Sequence, residues 1–182
     1  ETSVTLANLL LKKKKTNLIL LNYVPQLEKF LLWLQQLIAE SLGKDNKGFL
    51  PVISNAPRDH HSMLQLYLDG PKDKIFYIFS FDDNLKTNIK SNYILNKKNF
   101  LNNKNLSDIK NAQKNAVIKT FKKNKIPFRE FSLGKINEEV LGELFSLFII
   151  ETIIIGKLAG LNPFNQPAVE QVKTFTNKSL KK

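Results

Sequence analysis

Short runs of aliphatic and aromatic residues alternate along this chain with stretches of helical period, and that alternation constrains the fold more than any other feature. Leu18 to Leu21 is an apolar run behind Lys12 to Lys15 and reads as a buried strand. Pro25 stands where a first helical turn can begin. Leu27, Phe30, Leu31, Leu34, Leu37 and Ile38 then recur at helical spacing up to Gly43, a helix stop. Phe49 to Ile53 reads as a second strand, and Ser62 to Leu68 as a short helix stopped by Asp69-Gly70-Pro71. Ile75 to Phe81 is aromatic and β-rich, hence a strand. Asn84 to Asn105 is dominated by Asn and Lys and is expected to form a surface excursion. Leu106 to Lys123 reads as a helix with Ser107 as its N-cap, and Pro127 to Leu133 as a strand. Asn137 caps a long helix from Glu138 to about Leu158, ended by Gly160. Asn162 or Asn165 is expected to cap a last helix, with Pro163 or Pro167 in its first turn. Parallel strands need crossover connections, which these helices supply, so the order predicts an α/β fold: a mainly parallel sheet flanked by helices.

Composition narrows the function classes. With 182 residues and 42% hydrophobic content the chain suits one domain with a real core. It has no cysteine, which rules out disulfides and thiolate metal sites within it and fits a cytoplasmic location. The longest apolar stretch, Leu144 to Leu158, carries Glu151 and Lys157 and falls short of the roughly 20 residues of a membrane span, so no membrane partner is expected. The net charge of +12 comes from scattered lysines, many beside asparagines. The tight runs, Lys12 to Lys15 and Lys181-Lys182, have no interleaved aromatics for bases to stack on, so no nucleic-acid partner is expected. The seven glycines form no phosphate-cradling or dinucleotide loop. The chain opens on Glu1 with no charged-then-apolar leader, and is expected to be a piece of a longer polypeptide.

Three segments hold residues able to carry chemistry. In Trp33 to Lys44, Gln36 and Glu40 are four apart and share a helix face with Trp33 and Leu37. A carboxylate beside apolar groups is a candidate for proton transfer near neutral pH. In Pro57 to Ser62 stand the chain's two histidines, His60 and His61. His61 is expected at the start of the following helix, where the dipole favours a neutral ring, an acid–base form. No third ligand is spaced nearby, so no metal is expected. In Asn162 to Lys173, a helical backbone puts Gln166, Glu170 and Lys173 on one face. Spacing alone leaves all of these as ordinary surface residues.

Taken in order, the segments carry a family pattern. Ala39-Glu40-Ser41-Leu42-Gly43-Lys44 comes first. His61-Ser62 and the run Leu64-Gln65-Leu66-Tyr67-Leu68-Asp69-Gly70-Pro71 follow. Next come Leu141-Gly142-Glu143-Leu144-Phe145, and Asn162 to Glu170 with Lys173. Together they resemble the C-terminal portion of the bacterial glucose-6-phosphate isomerase (phosphoglucose isomerase) family. The resemblance implies a three-layer α-β-α sandwich of the sugar-isomerase (SIS) type over residues 1–160, and a helical tail over 161–182 carrying the active-site lysine. It implies aldose–ketose isomerisation of glucose 6-phosphate and fructose 6-phosphate, in glycolysis and gluconeogenesis, by ring opening and enediol proton transfer. Glu40 matches the family's base, His61 the ring-opening histidine lent to a neighbouring subunit, and Lys173 the lysine near the ring oxygen. Gln36 and Gln166 match substrate-contacting glutamines. No metal or organic cofactor is implied. The implied partners are a sugar-phosphate substrate, the missing N-terminal domain and a second copy in a homodimer. The phosphate-binding loop belongs to that missing domain, so the piece alone is expected to be inactive. The alternative is a non-catalytic sugar-phosphate-binding domain of the same fold. The departures are Arg58 and His60 for the family's Thr and Gln, Asn165 for Asp, and Ala168 and Val172 for Gly.

Overall fold

The computed structural model describes residues 1–12, 14–81, 101 and 104–181. Helix α1 (Thr2–Leu11) leads to strand β1 (Asn17–Asn22), a 3-10 turn at Pro25–Leu27, helix α2 (Glu28–Leu42) and strand β2 (Leu50–Asn55). Two short helices, α3 (Arg58–Ser62) and α4 (Leu64–Asp69), precede strand β3 (Lys74–Phe81). Helix α5 (Leu106–Lys123), strand β4 (Phe128–Leu133), helix α6 (Glu138–Leu158) and helix α7 (Val169–Leu180) complete the described chain.

The four strands form one sheet in the order β2-β1-β3-β4, every neighbour parallel. The apolar runs of β1 and β3 have no polar alternation because both of their faces are covered. Leu18, Leu20, Ile75, Tyr77, Phe79 and Phe131 pack on one side with α1, α2 and α6. Ile19, Leu21, Phe76 and Ile78 pack on the other with Tyr67 of α4 and Val117, Ile118 and Phe121 of α5. The result is the expected three-layer α/β sandwich. Phe79 and Phe131 stack at 4.9 Å between ring centroids, with Phe148 of α6 against both. Each such buried side chain contributes about 1.5–3 kcal/mol.

Several local expectations shift. The N-cap of α5 is Asn105, not Ser107. The Asn105 side chain accepts from Asp108 N at 2.7 Å while the Asp108 carboxylate accepts from Asn105 N at 3.1 Å, a reciprocal box that Ser107 does not form. Asn137 caps α6 as expected, accepting from Val140 N. The single helix expected over Ser62 to Leu68 is two helices that meet at Met63, whose φ of −121° departs from helical geometry. The last helix starts at Val169, beyond both candidate caps. The Asn162 side chain instead accepts from Phe164 N, a local turn that competes with helix initiation. The Asn84 to Asn105 expectation falls largely outside the described residues.

Candidate active site

α2 crosses back from β1 to β2, so its C-terminal turn lies at the amino ends of the strands. Glu40 stands in that turn. Its Oε1 accepts from Gln36 Nε2 at 3.1 Å, the i, i+4 contact that the spacing predicts. Its Oε2 accepts from Gln166 Nε2 at 2.7 Å, across 126 residues of sequence. Gln166 therefore belongs to the Glu40 cluster and not to the α7 face, since it precedes that helix. The surroundings of the carboxylate are two amides more than the apolar setting expected; Trp33 instead packs edge-on to Phe145 at 4.3 Å.

Two lysines hold the loop that carries Gln166 over Glu40. Lys44 Nζ donates to Ser41 O at 3.1 Å and to Asn162 O at 2.6 Å. Lys47 Nζ donates to Ala159 O at 3.0 Å. Burial lowers the Lys44 pKa from its ordinary value. Close packing of Pro163 on α6 completes the clamp: a Cβ on Gly156 would lie 3.2 Å from Pro163 Cβ. Sequence reasoning assigned no role to Lys44 or Lys47, although Lys44 closes the Ala39–Lys44 motif. An open cleft of about 660 Å³ borders this cluster, lined by Glu40, Gly43, Lys47, Gln166, Pro167 and Val169 among others.

Lys173 is exposed on α7 and pairs with Glu170 at 2.7 Å. Such a surface i, i+3 pair contributes about 0.3 kcal/mol and is readily broken. Val169, one helical turn earlier and about 6 Å along the axis, lines the cleft. Lys173 is thus near the cleft in sequence but does not line it.

His61 lies elsewhere. It is exposed in the last turn of α3, beyond the carboxyl end of β2, so the helix N-terminus expected beside it belongs to Arg58 and Asp59 instead. A six-residue strand spans about 20 Å, which sets the separation of the two ends of the sheet. The fold does not bring His61 and Glu40 of one chain together. His60 is tied inward: its Nε2 meets Tyr23 Oη at 2.7 Å, and burial lowers its pKa from the ordinary value. Asp59 organises this turn. Its Oδ2 accepts from Asn55 N at 2.8 Å and Ser54 Oγ at 3.2 Å, and its Oδ1 from Arg58 Nε at 2.8 Å. The Arg58 guanidinium, with those donors, holds the Asp59 carboxyl below the usual range. Among the described residues no three His, Cys, Asp or Glu side chains are grouped as metal ligands.

Fold and cleft together define the class: a parallel α/β sandwich whose candidate chemistry is that of a half-buried carboxylate oriented by two amides. No family model matches the chain. It is 36% identical over 172 residues to a protein of Methanococcus maripaludis named probable glucose-6-phosphate isomerase, a match covering 94% of this chain and 39% of that protein. It is 34% identical over 171 residues to the glucose-6-phosphate isomerase of Methanocaldococcus jannaschii, covering 93% of this chain and 42% of that protein. The crystal structure of a glucose-6-phosphate isomerase from Chlamydia trachomatis superposes with a TM-score of 0.76 over 99% of this chain and 38% of that one; at 18% identity this speaks for the fold alone. The chain is thus homologous to part of these glucose-6-phosphate isomerases and spans about two fifths of their length.

Proposed function

We propose that this chain is the C-terminal part of a glucose-6-phosphate isomerase, and that Glu40 is its proton-transfer base. The observation that carries the reading is the Glu40 carboxylate held between the amides of Gln36 and Gln166 at the mouth of an open cleft. After ring opening, Glu40 takes the proton from C2 of the aldose. The electrons of that C–H bond form the C1–C2 double bond, and the C1 oxygen gains a proton to give an enediol. Glu40 then delivers its proton to C1, where the C1–C2 π electrons form the new C–H bond. The C2 hydroxyl returns a proton to water, balancing the one the C1 oxygen took up, as it becomes the ketone. One carboxylate suffices because C1 and C2 are adjacent in the planar enediol and are reached from the same face. Gln36 and Gln166 fix the carboxylate and contact the sugar. Lys173, released from Glu170, reaches the ring oxygen.

His61 is the ring-opening group, and it serves the cleft of a second copy. Its place at the far end of the sheet from Glu40 supports a site shared across a homodimer. Residues 1–160 form one sugar-isomerase (SIS) domain and 161–182 the tail with the active-site lysine. The amino-terminal part of the longer enzyme supplies the phosphate site. The enzyme works in glycolysis and gluconeogenesis in the cytoplasm.

The test is isomerisation of fructose 6-phosphate. The longer enzyme is expected to turn over, and Glu40→Gln to lower kcat by about 10³ or more. The 182-residue chain alone is expected to show no turnover above its own Glu40→Gln control. Full activity in the longer Glu40→Gln enzyme sinks the assignment of the base.

A further inference from the structure

The turn that follows α2 has an uncommon backbone. Lys44 to Lys47 close on themselves, with Lys47 N donating to Lys44 O at 2.8 Å. Asp45 has a φ of 51° and Asn46 a φ of 55°. Two successive left-handed residues are the pattern of a type I′ turn, and Asn and Asp adopt it at less cost than other side chains. Gly48 follows at a φ of 133°, where a Cβ would stand 2.9 Å from Gly43 Cα, so a larger residue does not fit. The turn is thereby pinned against the end of α2, and it presents a half-buried lysine on either side.

Both lysines end on the chain that leaves α6. Lys44 Nζ bridges Ser41 O and Asn162 O, and Lys47 Nζ reaches Ala159 O. Ser41 and Ala159 lie at the carboxyl ends of α2 and α6, where carbonyls lack partners within the helix and a cation is favoured. Bonds from an ammonium are also stronger than those between neutral groups. Apolar packing cannot replace them further along. Leu161 and Pro163 are buried, but every residue from Phe164 to Val169 is exposed. The Lys44 bond at Asn162 therefore holds the segment just where core packing stops, shortly before Gln166 donates to Glu40.

We propose that Lys44 and Lys47 are positioning residues for the isomerisation: the turn they bracket sets where the segment after α6 crosses the end of α2, and so holds the Gln166 amide on Glu40. The proposal rests on the reading of Glu40 as the base. Neither lysine needs to touch the sugar. Each acts through main-chain carbonyls on Gln166, and Gln166 acts on the carboxylate. A carboxylate that must reach two adjacent carbons is sensitive to such support, because a misplacement of about 1 Å can cost about a hundredfold in rate.

The experiment measures isomerisation of fructose 6-phosphate by the longer enzyme carrying Lys44→Met, Lys47→Met, Gln166→Ala or the pair Lys44→Met/Gln166→Ala. Lys119→Met, at an exposed position of α5, is the control. Methionine keeps an apolar stem and removes the ammonium. Lys44→Met should lower kcat/KM about tenfold or more and Lys47→Met about threefold, while Lys119→Met matches wild type. Because Lys44 acts through Gln166, adding Lys44→Met to Gln166→Ala should cost less than about twofold further. A Lys44→Met enzyme within about twofold of wild type overturns the proposal, and so does a Lys44→Met loss that multiplies in full onto Gln166→Ala. A second readout does not depend on the reaction. In the 182-residue chain, chymotrypsin cleavage after the exposed Phe164 should speed up at least about fivefold in Lys44→Met and stay at the wild-type rate in Lys119→Met. Equal cleavage in wild type and Lys44→Met overturns the clamp. Full activity in Glu40→Gln sinks the base, whereas an inactive Glu40→Gln beside a fully active Lys44→Met sinks the positioning alone, so the two failures are distinct.

Discussion

Two carboxylates at opposite ends of the sheet are held in different ways. Asp59, beyond the carboxyl end of β2, is 9% exposed and accepts from a backbone amide, a hydroxyl and a guanidinium. Glu40, at the amino end, accepts from two side-chain amides beside an open cleft, and none of the ion pairs among the described residues involves it. A buried carboxylate with a cation and a backbone donor is fixed in its charged form and fixes the chain around it. A carboxylate oriented by neutral amides is positioned while remaining reachable. The first arrangement builds a turn, and the second leaves a group that can exchange a proton with a ligand.

The largest effect on stability should come from the buried end. Asp59→Ala leaves the buried Ser54 Oγ and the half-buried Asn55 N without their acceptor and should cost about 2–3 kcal/mol in urea unfolding of the 182-residue chain. A loss under about 0.5 kcal/mol would break the contrast by making Asp59 an ordinary surface acid.

Acid should act next, in two steps at the same end. Burial lowers the His60 pKa, so the unfolded chain takes up a proton that the folded chain resists. The stability that follows is present above the unfolded value of about 6.5 and is lost as pH falls through it. The Asp59 pKa is also lowered, chiefly by the Arg58 hydrogen bond. Its contribution is present above the unfolded value of about 3.9 and is lost as pH falls below that. Unfolding midpoints between pH 8 and pH 2 should therefore drop twice. His60→Gln should remove the upper step and Asp59→Asn the lower one.

The smallest effects should come from the open end. Gln166→Ala and Glu40→Gln should each shift the stability of the 182-residue chain by less than about 0.5 kcal/mol, since both groups face the cleft. A shift of 2 kcal/mol at either position would show the Glu40 cluster to be a structural tie like that of Asp59.

The residues differ in how far they were legible in advance. Gln36 and Glu40 were paired correctly by spacing, because a helical i, i+4 contact is a local property. Helical spacing sets Gln166 on one face with Glu170 and Lys173 only where the helix includes it, and the fold leaves it outside α7 and on Glu40. The cause is the late start of α7, which the turn at Asn162 to Phe164 delays. The cap expected at Ser107 lies at Asn105 for a related reason, since a capping box depends on two reciprocal bonds that composition does not reveal. His60 and His61 are neighbours in sequence; the family motif singles out His61, and the fold shows His60 tied to Tyr23 while His61 is exposed.

The sequence by itself determined the α/β class, the parallel sheet and the motif order that leads to the family. These depend on periodicity and on local residue patterns, which act within one element. The tertiary structure alone decided that Gln166 meets Glu40, that Lys44 and Lys47 clamp the loop between them, and that His61 stands about a strand's length away. Those relations are set by strand order and by the direction of each crossover. They are properties of how elements pack together, and no single segment encodes them.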